Sequence, residues 1–424
     1  MTILGKGAPD MRLSDRTVES LIAEAAEALA PDGRRILVLI PDHTRSCPLP
    51  LIVRSLHANL ARRAAKLDFL IALGTHPPLS EEQIDTLLGI EPGCRDDVLP
   101  GSDVFNHDWR DPGALATVGT LAGDRIREIT GGRFAMEVPV TLNRRVFEYD
   151  LVLVAGPVFP HEVAGFSGGA KYFFPGICGA DLLNFFHWLG AVISIPKIIG
   201  IKDTAVRATL EAAMDLVAVE VRGLCMVVRG QDLLGLYFGP LREAWSEAAT
   251  LSDQVHVVYC DKPYQSILSC APAMYDDLWV GAKCMYKLEC VVADGGELII
   301  YAPHIRQVSV THGRIIEEIG YHTLAYFLAQ WGRFKNHPWG VLAHSTHVRG
   351  LGTYENGVER PRVRVTLATG IPESLCRKMN LEYRNPASID PRQWQGRESR
   401  GRLYVPKAGE TLYRLKEPPE WAKV

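Results

Sequence analysis

The sequence predicts an α/β protein of two domains: an N-terminal doubly wound parallel sheet and a smaller C-terminal α/β domain, with the active site in the cleft between them. Two observations carry this. Short β-branched apolar runs alternate with helical stretches, and polar residues gather just after the ends of those runs. Buried parallel strands read as near-continuous hydrophobic runs, and ligands of such sheets lie outside the carboxyl ends of the strands. The length of 424 residues is ample for more than one buried core.

"RRILVLIPD" (34–42) reads as the first of these strands and ends at "DHTRSCP". "PLPLIVRSLHANLARRAA" then reads as a helix with proline near its start. "KLDFLIALGTH" is a second strand, ending at His76. "LSEEQIDTLLG" carries the signals of a complete helix: a serine cap, an acidic first turn and a closing glycine. "YDLVLVAGPV" (149–158) is a third strand. "DTAVRATLEAAMDLVAVEV" reads as a long helix leading into a less regular region. "QVHVVYCDKP" (254–263) opens a second set of elements. The predicted domains are therefore 1–253 and 254–395. A tail over 396–424, rich in Arg, Gly, Pro and Trp, is able to pack back on the N-terminal domain.

Composition narrows the function. Hydrophobic residues make up 47% and charged residues 22%, as in an ordinary globular protein, and the net charge is −3. That balance argues against a nucleic-acid binder. The nine cysteines form no CxxC pair and read as reduced thiols in a cytoplasmic protein. No apolar stretch has the length of a signal core or a membrane span.

The candidate site residues cluster at the strand ends. Asp42 and Arg45 follow the first strand, where an arginine can hold a carboxylate in two-point contact. An N-capping Asp and a solvated Arg are the plainer alternative. His76 stands before two stiff prolines. His107 and Asp108 have no clear strand before them and read as structural. "HEVAGFSGGAK" joins His161 to Lys171 across Ser167, Gly168 and Gly169, and His187 follows sixteen residues later. This stretch admits a phosphate cradle, a lysine nucleophile or anchor for a cofactor, and a metal ligand at His187. It is not a P-loop, because Tyr172 follows the lysine. His187 also reads as a core histidine on an apolar helix. In the second domain Lys283 reads as a snorkelling side chain or as the cationic partner of an anionic substrate.

Taken together, "DHTR", "GTH", "HEVAGFSGGAK", "FPGI" and a helix-borne histidine resemble the lactate racemase family, over roughly residues 36–200 and more weakly beyond. The resemblance implies a nickel-pincer nucleotide cofactor, with His187 as nickel ligand and Lys171 as an anchor that can form a thioamide. It places Ser167, Gly168 and Gly169 at the cofactor, and makes His76 and His161 the paired acid/base residues. Asp42, Arg45 and Lys283 fall to the substrate. The implied activity is racemisation or epimerisation at C2 of a 2-hydroxy acid by reversible hydride transfer through a 2-keto acid. The implied partners are a small 2-hydroxy acid and the host's cofactor-synthesis proteins, with no nucleic acid and no membrane. Ser46 and Cys47 stand before Pro48 where proline is expected directly after the arginine. Pro77 replaces an expected arginine, and Val280 an expected glutamine-like residue. These departures point away from lactate, toward another 2-hydroxy acid or a sugar acid such as an aldonate. A lysine Schiff-base enzyme and a cofactor or nickel carrier without turnover are the rival readings.

Overall fold

In the computed structural model, which describes residues 2–423, the predicted strands form at Arg35–Ile40, Lys66–Ile71 and Leu151–Pro157. All but the first residue of each of the first two strands, and the whole of the third, are buried. They belong to a sheet in the order Leu4–Gly7, Asp232–Pro240, Glu220–Arg229, Leu151–Pro157, Arg35–Ile40, Lys66–Ile71, Val104–Asn106. From Glu220–Arg229 to Val104–Asn106 every pair is parallel, while the remaining two pairs are antiparallel. The chain runs outward from Arg35–Ile40 to Val104–Asn106, then returns to the other side of Arg35–Ile40. The strand order thus reverses between Arg35–Ile40 and Leu151–Pro157, the place where open α/β sheets take their ligands.

The helix signals were chemically complete. Ser80 caps Glu81–Leu88 in a capping box with Gln83, and Gly89 ends the helix at φ 62°. Leu49–Leu60 begins at the expected prolines. The stretch 203–221 differs from expectation. The helix covers only Ala205–Met214, and Glu220 opens a strand. Val217, Val219 and Val221 are β-branched and favour the extended chain. That strand turns through Gly230, at φ 62°, and Gln231 into Asp232–Pro240. This hairpin occupies the region read as irregular.

The chain folds into two compact units. The first comprises Met1–Phe159, Phe166–Leu183 and Arg207–Val255; the second comprises Pro160–Gly165, Asn184–Val206 and His256–Val424. The single cut expected at residue 253 is therefore joined by earlier crossings, so that His161 and His187 belong to the second unit and Lys171 to the first. The second unit holds a parallel sheet in the order Glu382–Tyr383, Arg364–Thr369, Val292–Ala302, Tyr264–Cys270, Arg402–Val405. The C-terminal tail is part of this unit: Arg402–Val405 pairs with Tyr264–Cys270, and Leu412–Leu415 with Val257–Cys260. Among the described residues no helix is long and apolar enough to cross a membrane, and the nine cysteines are unpaired.

In the first unit the glycine-rich segment is held from beneath. Trp245, on the helix Leu241–His256, donates from Nε1 to the Ser167 carbonyl at 2.8 Å. The Arg207 guanidinium lies 4.0 Å from the centre of the indole and donates to the Phe166 carbonyl. Gly168 and Gly169 have φ of 76° and 59°. A Cβ on Gly168 would stand 2.7 Å from Val158 Cγ2, and one on Gly169 would stand 2.8 Å from the Trp245 ring. What approaches these two glycines so closely is the protein's own core.

Gly169→Ala should therefore destabilise the protein through both its backbone angle and its clash, by about 2–4 kcal/mol. Gly33, at φ 68° with nothing within 4 Å of a built Cβ, provides the control. Gly33→Ala should cost only the backbone part, about 1–2 kcal/mol. Chemical denaturation reads both, and equal losses would show that the Trp245 contact contributes nothing.

Candidate functional site

The carboxyl ends of the parallel strands in the first unit deliver Asp42, His76 and His107. Asp42 is buried, two residues after Arg35–Ile40. Its Oδ1 accepts from the Thr44 amide at 3.1 Å and the Thr44 hydroxyl at 2.7 Å, and its Oδ2 accepts from His76 Nδ1. Burial pushes the carboxyl up. The charges of His76 and Arg45 and the hydrogen bonds from His76 and Thr44 outweigh it, leaving Asp42 well below the usual carboxylate range. An ionised carboxylate can only accept, so the proton of a neutral His76 resides on Nδ1 and the lone pair on Nε2. Both carboxylate oxygens are thus engaged, and Asp42 serves as the partner of His76 rather than as a free arm for substrate. Arg45 is half-buried beside it, with its amide on the Asp42 carbonyl at 3.3 Å.

His107 has a different role. It is fully buried, with Asn143 Nδ2 donating to Nδ1 at 3.3 Å and Nε2 donating to the Cys178 carbonyl at 3.2 Å. Burial pulls it down to about 4. This ring is neutral and locked, as its structural reading expected. Asp108 accepts from the Arg110 amide at 3.0 Å.

Lys171 ends the glycine-rich segment in the short turn Gly169–Tyr172 and is half-buried. Its amide donates to the Gly168 carbonyl at 3.2 Å, and its carbonyl accepts from the Gly176 amide at 3.2 Å. Ser167 was expected at the cofactor. Its hydroxyl accepts from the Phe159 amide at 2.9 Å and lies 3.4 Å from the Pro157 carbonyl, so it clasps the segment to the strand end.

The second unit holds His161, His187 and Lys283. His161 is buried, and its Nδ1 accepts from the Val163 amide at 3.1 Å and the Ala164 amide at 3.4 Å. Its neutral ring therefore carries the proton on Nε2, opposite to His76. The Glu162 carboxylate stands 3.4 Å from the same Nδ1. His187 is half-buried on the helix Ala180–Ile193, with its ring stacked on Phe186 at 4.3 Å. Lys283 lies 4.8 Å over the Tyr275 ring. Val280 is buried, with its amide on the capping carboxylate of Asp277 at 2.9 Å.

Sequence reasoning passed over two features of this unit. One is Glu162, hidden inside the motif. The other is an aromatic and imidazole group formed by Trp279, His312, His344 and His347. Trp279 stacks on His344 at 3.9 Å and meets His312 at 4.6 Å. Burial, then the neighbouring His347, His312 and His187, hold His344 well below the ordinary imidazole range. The i, i+3 histidines of "AHSTHVRG" were the available signal, since that spacing shares one helix face.

Comparison with known proteins extends the motif evidence. Residues 14–197 match the family model of the lactate racemase N-terminal domain. The lactate racemase of Thermoanaerobacterium thermosaccharolyticum is 28% identical over 163 residues, 38% of this chain and 33% of that protein. That of Lactiplantibacillus plantarum is 28% identical over 179 residues, 41% of this chain and 37% of that protein. The matched stretch thus spans about a third of the length of these relatives. Over nearly the whole chain, a crystal structure of a protein from Thermotoga maritima superposes with TM-score 0.88 at 32% identity, covering 97% of this chain and 100% of that one. The lactate racemase apoprotein of T. thermosaccharolyticum shares the fold, with TM-score 0.71 at 17% identity over 96% of this chain and 95% of that one. Residues 14–197 thus match a lactate racemase N-terminal domain, in agreement with the motifs, and the chain shares the fold of the lactate racemase apoprotein.

Proposed function

We propose that this protein is a racemase or epimerase acting at C2 of a 2-hydroxy acid other than lactate, with a nickel-pincer nucleotide as cofactor. The observation that carries the reading is the Asp42–His76 pair. A buried ionised carboxylate fixes the imidazole with its Nε2 lone pair available, at the end of a strand beside the order reversal of the sheet.

The side chains suit the cofactor. Lys171 offers a half-buried amine at the end of a segment whose shape is fixed by Trp245. His187 offers one imidazole on a helix, a nitrogen donor that would hold the nickel. When bound, the cofactor supplies the acceptor for the C2 hydride, a step that a weakly acidic C2–H makes easier than carbanion formation.

The protein's part is to move the hydroxyl proton and hold the substrate. His76 takes that proton at Nε2, and Asp42 stabilises the resulting imidazolium through Nδ1. His161 serves the opposite enantiomer. Arg45 and Lys283 are the cations for the substrate carboxylate. The substrate differs from lactate because Pro77 and Val280 occupy positions near the expected pocket, and buried Val280 offers no hydrogen bond there.

His76→Ala and His161→Ala should each lower the racemisation rate by at least about 10²-fold. A substrate deuterated at C2 should retain its label in the product, read by mass spectrometry. Full wash-out into solvent would point to a carbanion and remove hydride transfer from the account.

His187→Ala should lose nickel, measured by elemental analysis of the loaded protein, while its unfolding midpoint stays near that of the wild type. Nickel held at full occupancy would place the ligand elsewhere.

The depressed Asp42 adds a pH dependence. A carboxyl whose folded value lies below its unfolded value, about 3.9, stabilises the fold above that pH and loses the contribution as pH falls toward the folded value. Asp42→Asn should therefore be less stable than the wild type at neutral pH, and the gap should narrow below about pH 4. A gap independent of pH in denaturation curves would mean that the ionised carboxylate is not what stabilises this site.

A further inference from the structure

We infer that Glu162 is a positioning residue for His161: its carboxylate accepts a hydrogen bond from Nδ1–H and so lets the ring act as a base through Nε2. The inference rests on the reading of His161 as an acid/base group.

A neutral imidazole has one N–H and one lone pair. To take a proton at Nε2, the ring must carry its other proton on Nδ1. In the structure Nδ1 instead faces two donors, the Val163 amide at 3.1 Å and the Ala164 amide at 3.4 Å. That setting suits only the tautomer with its proton on Nε2, which can donate but cannot accept there. An imidazolium in the same place would set its Nδ1–H against a backbone N–H.

Glu162 resolves the conflict. Its Oε2 is 3.4 Å from Nδ1, and the two side chains are only 11% and 16% exposed. A small turn of the ring exchanges the amides for the carboxylate, and the neutral ring changes tautomer through water: Nε2 gives its proton to solvent and Nδ1 takes one from solvent, leaving the lone pair on Nε2. The substrate O–H bond then breaks as an N–H bond forms at Nε2, and the Nδ1–H points at Glu162. Returning the proton from Nε2 reverses both changes. Other charged or titratable groups on neighbouring elements include Lys287, whose amine donates to the Pro160 carbonyl, and His187, on the helix that meets Val163 at Gly190. Glu162 is the negative one among them. Asp42 does the same for His76, with the hydrogen bond already formed.

The test uses the full-length protein labelled with ¹⁵N-histidine, free of cofactor, with the His161 signal assigned by its loss in His161→Gln. In the wild type the neutral ring should be the Nε2–H tautomer. Glu162→Gln should lower the His161 titration midpoint by about 1 unit, the size expected of a lost opposite charge at this range. Glu162→Asp, which keeps the charge, should restore most of it. In the loaded enzyme Glu162→Gln should lower kcat by about 10-fold, less than His161→Ala, with KM changed little. An unchanged midpoint in a folded Glu162→Gln protein overturns the inference. If His161→Gln itself racemises at the wild-type rate, the failure belongs to the proposed role of His161 and not to Glu162.

Discussion

The hydrogen bond between Asp42 and His76 is the constraint on which the rest of this site depends. A carboxylate buried at a strand end is costly unless it is paired and hydrogen-bonded. Asp42 meets that condition through Thr44 two residues on and His76 from the next strand. Two adjacent parallel strands, Arg35–Ile40 and Lys66–Ile71, must therefore keep their register for the pair to form. In return the pair sets the tautomer of His76, which is the property that a general base requires. Sheet register, burial and proton chemistry are thus three aspects of one contact.

The two histidines assigned to proton transfer are not equivalent in their surroundings. His76 is aligned by a charged side chain, His161 by backbone amides. Racemisation asks the same chemistry of both faces of a planar intermediate, so an unequal pair needs an adjustment on one side. The carboxylate next to His161 supplies a means for it. Unequal resting states do not prevent balanced turnover, because the equilibrium constant between enantiomers fixes the ratio of kcat/KM in the two directions.

Much of this was legible in the sequence, for identifiable reasons. The parallel strands announced themselves as unbroken apolar runs, and Glu81–Leu88 by a complete set of local cap signals. The polar residues at strand ends followed from where such sheets bind ligands. The glycines were legible as an unusual backbone, yet their cause was not. Trp245 lies 76 residues beyond Gly169, and no local pattern links a tryptophan to the turn it supports. The hairpin over 220–240 was hidden because its apolar strands adjoin an alanine-rich helix, whose period seemed to continue. The roles of Asp42, Ser167 and Glu162 depended on which oxygen meets which donor, and residue spacing does not carry that information.

The central claim is that the chain interconverts configurations at C2 of a 2-hydroxy acid. The most direct measurement takes protein produced in a host that makes the cofactor and incubates it with a panel of optically pure 2-hydroxy acids, from short aliphatic acids to aldonates. Chiral chromatography then follows each compound. The account predicts that at least one of them, and not lactate, approaches an equilibrium mixture of its two C2 configurations without net formation of a keto acid. Nickel-loaded protein that leaves every member of the panel optically pure, or that converts one to a keto acid in a single direction, would contradict it.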